Sequence, residues 1–177
     1  ALFFTDPAAQ LAEFESDWTA TNELSHMLLP YVDRRDAWLS EGFASYYQNV
    51  LMARRGLYTP QQAWSKLDAG LQRGQRAENA LTLAQQSNGQ SGNESNGRAT
   101  TMRIYWSGAA IALLADVALR QRGDGQSLDT VLAQLRDCCL PSNETWRARA
   151  LFAKLDQLSN SHIFTDLYLQ HVHAAQF

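Results

Sequence analysis

The sequence predicts a mainly α-helical protein, on three observations. Apolar residues recur at helical spacing along most of the 177-residue chain, marking one face of each segment. Proline just inside the start of such stretches and glycine just past their end supply helix punctuation. No convincing period-two alternation interrupts the pattern, so at most a strand stub is expected, at residues 2–5.

The elements follow in order. Asp6-Pro7 is a start signal, and Leu11, Phe14, Trp18, Leu24, Met27 and Leu28 then fall at helical spacing. Pro30 is expected to end that helix, or the helix to end a turn before it. A second helix is expected over residues 37–55, closed by Gly56. Thr59-Pro60 opens a third, with Ala63, Trp64, Leu67 and Leu71 on one face. After a short helix comes SNGQSGNESNGR, residues 87–98, read as a flexible surface loop. It is too short for a domain boundary, so residues 1–177 read as one domain. A long helix over residues 101–122, closed by Gly123, contains GAAIALLADVAL and is expected to be the buried centre. Ser127 starts another helix, Ser142 or Asn143 caps one reaching about residue 158, and the last begins near His162.

Composition excludes more than it assigns. Hydrophobic residues make up 45% and charged ones 19%, an ordinary globular balance. A net charge of −3, with pairs such as Arg34-Arg35 and Arg54-Arg55 read as solvated helix faces, gives no nucleic-acid signal. No uninterrupted apolar run of about 18 residues is present, so no membrane span is expected. The opening ALFFTDP lacks an initiator Met and reads as that of a fragment or processed chain, which leaves the compartment open. Cys138 and Cys139 are adjacent and match no zinc spacing; two free, partly buried thiols are favoured over a vicinal redox pair. The triplets beginning at Asn93 and Asn143 fit a glycosylation sequon but are too common to weigh.

The chemistry concentrates at Asn22-Glu23-Leu24-Ser25-His26. A zinc hydrolase grips its ion with imidazoles one helical turn apart, and a glutamate next to the first activates water. Glu23 stands at the base position and His26 at the second imidazole, whereas Asn22 occupies the place of the first. Alone, a Glu and a His at this spacing are common on ordinary helices.

The downstream residues change that reading. WLSEGFASYY, residues 38–47, resembles the third-ligand segment of gluzincin metallopeptidases, the aminopeptidase N-like and glycyl aminopeptidase-like families. The resemblance implies that Glu41 is a zinc ligand beside His26, with Asn22 marking the position of a missing histidine ligand. Tyr105-Trp106-Ser107-Gly108-Ala109 is similar to the segment whose tyrosine stabilises the oxyanion, which implies that role for Tyr105 beside the catalytic base Glu23. The connection between His26 and Glu41, 14 residues, is shorter than in aminopeptidase N-like members. The tail that includes SLDTVLAQL and IFTDLYLQHV also resembles the glycyl aminopeptidase-like group.

By this resemblance the chain is expected to be the helical half of a thermolysin-like zincin catalytic domain. The family's β-rich upstream part is expected to be missing from it and to pack on it. A peptide or protein is the implied substrate and zinc the implied cofactor. Because a carboxamide is a poor zinc donor, the resemblance leaves two functions open. One is a metallopeptidase-type hydrolase impaired at Asn22; the other is a non-catalytic peptide-binding relative without zinc. A helical bundle of unrelated function is disfavoured by three motifs in the right order. His162, His171 and His173 are expected to be structural or surface residues.

Overall fold

A computed structural model describes residues 8, 10–77, 80–89 and 97–175. The expected strand stub at residues 2–5, the start signal at Asp6-Pro7 and the centre of the expected loop, residues 90–96, lie outside the described residues. Those described are mainly helical. No strand occurs among them, and one isolated parallel bridge pairs Val32 with Trp146.

The first expected helix is two. α1 (Leu11–Ser16) and α2 (Trp18–Ser25) meet at Asp17, whose backbone is extended at φ −71° and ψ 122°. The Asp17 carboxylate accepts hydrogen bonds from the Thr19 N–H at 2.8 Å and its hydroxyl at 2.7 Å. An aspartate that serves as a helix N-cap competes with helix continuation, which the apolar spacing alone could not reveal. A tight turn, His26–Leu28, ends the element before Pro30, as expected.

Further along, α3 (Ala37–Arg54) closes at Gly56, which sits at φ +75°, a conformation open to glycine. α4 (Pro60–Arg76) starts with a reciprocal cap between Thr59 and Gln62, and α5 (Leu83–Ser87) with one between Thr82 and Gln85. α6 (Gly97–Gln121) begins four residues before the expected start, absorbing the end of the polar run. α7 (Leu128–Cys139) is capped by Ser127, as expected. It carries the Cys138–Cys139 pair, which is joined as a disulfide, so the free-thiol expectation is wrong. α8 (Ala148–Ser159) starts later than Ser142 or Asn143. Ser142 instead accepts from the Trp146 indole at 3.1 Å, while the buried Asp36 carboxylate accepts from Ala148 N–H at 2.9 Å and Arg147 Nε at 2.6 Å. This remote cap is invisible in local sequence. α9 (Ile163–Leu167) passes into a wide turn, Tyr168–Val172.

The core is α3 laid across α6. Trp38, Leu39, Phe43, Tyr46 and Tyr47 of α3 are buried with Ala109, Ala112, Ala115 and Leu119 of α6. Phe152 and Phe164 close the far side, Phe152 meeting Trp38 edge to face at 5.6 Å. α6 is long and apolar enough, by length and composition, to cross a membrane, which the search for an uninterrupted apolar run had not suggested. Half of that stretch is buried inside the protein, and α6 serves here as the core helix.

One expected apolar face turns outward at a single residue, on α4, and another does so more fully, on α2. Trp64 is exposed, while α4 packs through Leu67, Gly70 and Gly74. A β-carbon at Gly70 would lie 2.1 Å from the Trp106 ring, so glycine lets α4 sit against that indole. On α2 the buried residues are Thr21, Asn22 and Ser25, whereas Trp18 and Leu24 are exposed, with Met27 just beyond. The helix thus buries a small polar face and presents an apolar one.

A buried polar set ties α3 to α7. The Tyr47 hydroxyl donates to Asp129 at 3.0 Å, and Arg54 pairs with the same carboxylate. Tyr46 donates to Asp116 at 2.9 Å, which also caps Leu128 N–H at 2.8 Å. Burial, then the charge of Asp129 and the hydrogen bond to it, holds the Tyr47 phenol well above its ordinary range. An acid whose folded-state pKa is raised adds stability below its unfolded value, about 10 for tyrosine, and loses it as pH rises further. Replacing Tyr47 by phenylalanine is expected to cost about 1 kcal/mol at neutral pH. It should also soften the alkaline fall in stability above about pH 10, read from urea unfolding across that range.

Candidate functional site

α2 and α3 run antiparallel, and their contacts form a register. Thr21 Oγ1 meets Met52 Sδ at 3.3 Å, Asn22 Nδ2 donates to Gln48 Oε1 at 3.2 Å, and His26 Nε2 lies 3.6 Å from Glu41 Oε2. Small polar residues at 21, 22 and 25 permit this close approach, because they present little bulk between the helix axes. The inverted polarity of α2 is therefore what puts His26 on Glu41.

Glycine sets the second crossing. A β-carbon at Gly42 would lie 2.2 Å from the Gly108 backbone, and one at Gly108 would lie 1.8 Å from the Trp38 carbonyl oxygen. α3 and α6 touch backbone to backbone there. Glu41 stands one residue from Gly42, and Tyr105 one turn before Gly108, so the crossing brings their side chains together. Burial first, then a hydrogen bond with Glu41 and the charges of Glu41 and Glu23, pushes the Tyr105 phenol well above its ordinary range.

Four residues singled out by sequence thus converge: Glu23, His26, Glu41 and Tyr105. Glu23, His26 and Glu41 line a cleft of about 920 Å³ with Met27, Tyr31, Val32, Arg34 and Arg35. Ser87, Asn88 and Gly89, the described beginning of the expected loop, line it as well. Asn22 stands apart, buried and bonded to Gln48.

His26 Nε2 and Glu41 Oε2, 3.6 Å apart, are close to the roughly 3.3 Å that two ligands of one tetrahedral zinc span. The third position offers a carboxamide already engaged by Gln48. No group of three or more His, Cys, Asp or Glu able to hold a metal occurs among the described residues. The residues present do not fit the three-ligand zinc of a catalytic site.

The segment holding Glu41 and Tyr105, with the glycines that join them, also falls inside the stretch that a family model matches. Residues 29–111 match the sequence model of the M61 glycyl aminopeptidase family. The match, over a little less than half of the chain, agrees with the resemblance drawn from the motifs at 38–47 and 105, and is to a family of zinc metallopeptidases. The match begins after His26, so Asn22 and Glu23 lie outside it. No curated protein and no solved structure matches the chain.

Sequence reasoning missed three features of the site. Gln48 was detectable as the residue two turns beyond Glu41 on the same helix face. Gly42 and Gly108 sit within the quoted motifs, yet their packing role shows only in the crossing. The extended run at Tyr31–Asp33 had no period to betray it, being held by its contacts with Trp146.

Proposed function

We propose that the chain carries a metallopeptidase-type hydrolase site for peptide substrates, impaired by Asn22. The observation that supports this best is that Glu23, His26 and Glu41 line one cleft while the Tyr105 phenol interacts with Glu41. In this reading Glu23 is the base that takes a proton from the attacking water. Tyr105 presents its protonated hydroxyl to the oxyanion, as an ordinary phenol does near neutral pH. His26 and Glu41 are the remaining metal ligands, short of one donor. The exposed apolar face of α2 suits packing by a β-rich part of the same protein, as the family resemblance implies.

The test is hydrolysis of glycyl peptides by three proteins: the chain as it stands, Asn22→His, and Asn22→His combined with Glu23→Gln. The expected pattern is a near-silent parent, a gain in the first variant and its loss in the second. Equal activity in both variants would remove Glu23 from the mechanism.

A second reading has its own support. The buried Asn22 amide is satisfied by Gln48, so position 22 is built into the α2–α3 contact without a metal. That suits a non-catalytic peptide-binding relative. A chelator that left the melting temperature of the parent unchanged would agree with it.

A further inference from the structure

The cleft wall beyond Met27 is extended backbone. Leu29 has φ −118° and ψ 156°, and Asp33 has φ −56° and ψ 138°. One edge of the run is occupied: Trp146 N–H donates to the Tyr31 carbonyl and Asp33 N–H donates to the Trp146 carbonyl, each at 2.8 Å. Backbone groups alternate in direction along an extended chain, so Val32 N–H and C=O point away from Trp146. Among the described residues neither has a hydrogen-bond partner, and Val32 lines the cleft.

The cations beside this edge differ in availability. Arg35 is held by Asp33, with Nε at 2.9 Å and a terminal nitrogen at 2.8 Å from the carboxylate oxygens. Arg34 is exposed, lines the cleft, and makes no ion pair among the described residues. In the same lining, Glu23 and Glu41 supply negative charge. The cleft lining therefore combines acidic side chains, an unpaired backbone edge and a guanidinium that makes no ion pair among the described residues.

We propose that this edge docks an extended peptide as an added strand through Val32 N–H and C=O, with a carboxylate of the peptide taken by Arg34. The proposal rests on the reading of the cleft as a peptide site and adds a substrate class: short peptides ending in, or carrying, a carboxylate that reaches Arg34. Backbone pairing supplies affinity without selecting side chains, and the guanidinium supplies the preference for charge.

The test uses the wild-type chain, the peptide Gly-Ala-Ala-Ala-Ala and its C-terminal amide, followed by NMR and amide hydrogen exchange. The free acid is expected to slow exchange at the Val32 amide and to bind about tenfold more tightly than the amide. Arg34→Ala should erase that difference without changing the affinity for the amide. A peptide that shifts the His26 signals while Val32 exchange stays unchanged, or an acid and amide of equal affinity, overturns the proposal and leaves the peptide-cleft reading intact. No binding by either peptide overturns both.

Discussion

Replacing Gly108 by valine is expected to lower stability by about 3 kcal/mol, a fall in melting temperature of roughly 6–12 °C. The reason is geometric. Even a β-carbon at this position would lie 1.8 Å from the Trp38 carbonyl oxygen and 2.8 Å from the Gly42 Cα. These are backbone atoms, so no rotamer change relieves the overlap and α6 must lift off α3. Because that contact places Tyr105 beside Glu41, the lift also parts the two site residues. Gly97→Ala is the matched control, since a β-carbon there meets nothing within 4 Å. Thermal unfolding of both variants checks the expectation; a Gly108→Val protein as stable as the control would contradict the backbone contact.

The second large effect concerns Asn22→His. Positions 22 and 26 stack one turn apart on the same helix face, so an imidazole at 22 joins His26 and Glu41 on one side of the α2–α3 contact. Four-ligand structural zinc sites bind with about 10–16 kcal/mol, so one added ligand is worth roughly 3 kcal/mol, about a hundredfold in affinity. The exchange has a cost. It removes the hydrogen bond between Asn22 and Gln48, about 1 kcal/mol, and adds bulk at a buried position. The variant should therefore be less stable than its parent without metal and more stable with it, as read from melting temperatures with and without a chelator. A variant whose melting temperature ignores zinc would show that the imidazole faces Gln48 rather than the cleft.

Much of the fold was legible because its elements carry local signals. Gly56, Thr59-Pro60, Gly123 and Ser127 mark boundaries with their own backbone chemistry, and the structure puts helix ends at each. What escaped was non-local. The start of α8 depends on Asp36, more than a hundred residues away in the chain, and the break at Asp17 depends on a side chain that competes with the helix it interrupts. The face of α2 was misread for a related reason. Apolar spacing marks an amphipathic helix but not which side is buried, and here close approach to α3 selected the small polar side. The same crossing explains the site. The motifs named His26, Glu41 and Tyr105, while the register that joins them lies in Thr21, Gly42, Gln48 and Gly108, residues with no chemistry to advertise. The Cys138–Cys139 bond went the other way, since adjacency argued against it.

The central proposal is that His26 and Glu41, brought together by α2 and α3, would serve as two zinc ligands and that position 22 withholds the third. Zinc content after equilibrium dialysis measures it directly, in the parent, Asn22→His, and Asn22→His combined with Glu41→Gln. The account predicts little metal in the parent, near-stoichiometric zinc in the single variant and its loss in the double. A stoichiometric parent, or a single variant that stays empty, would contradict it.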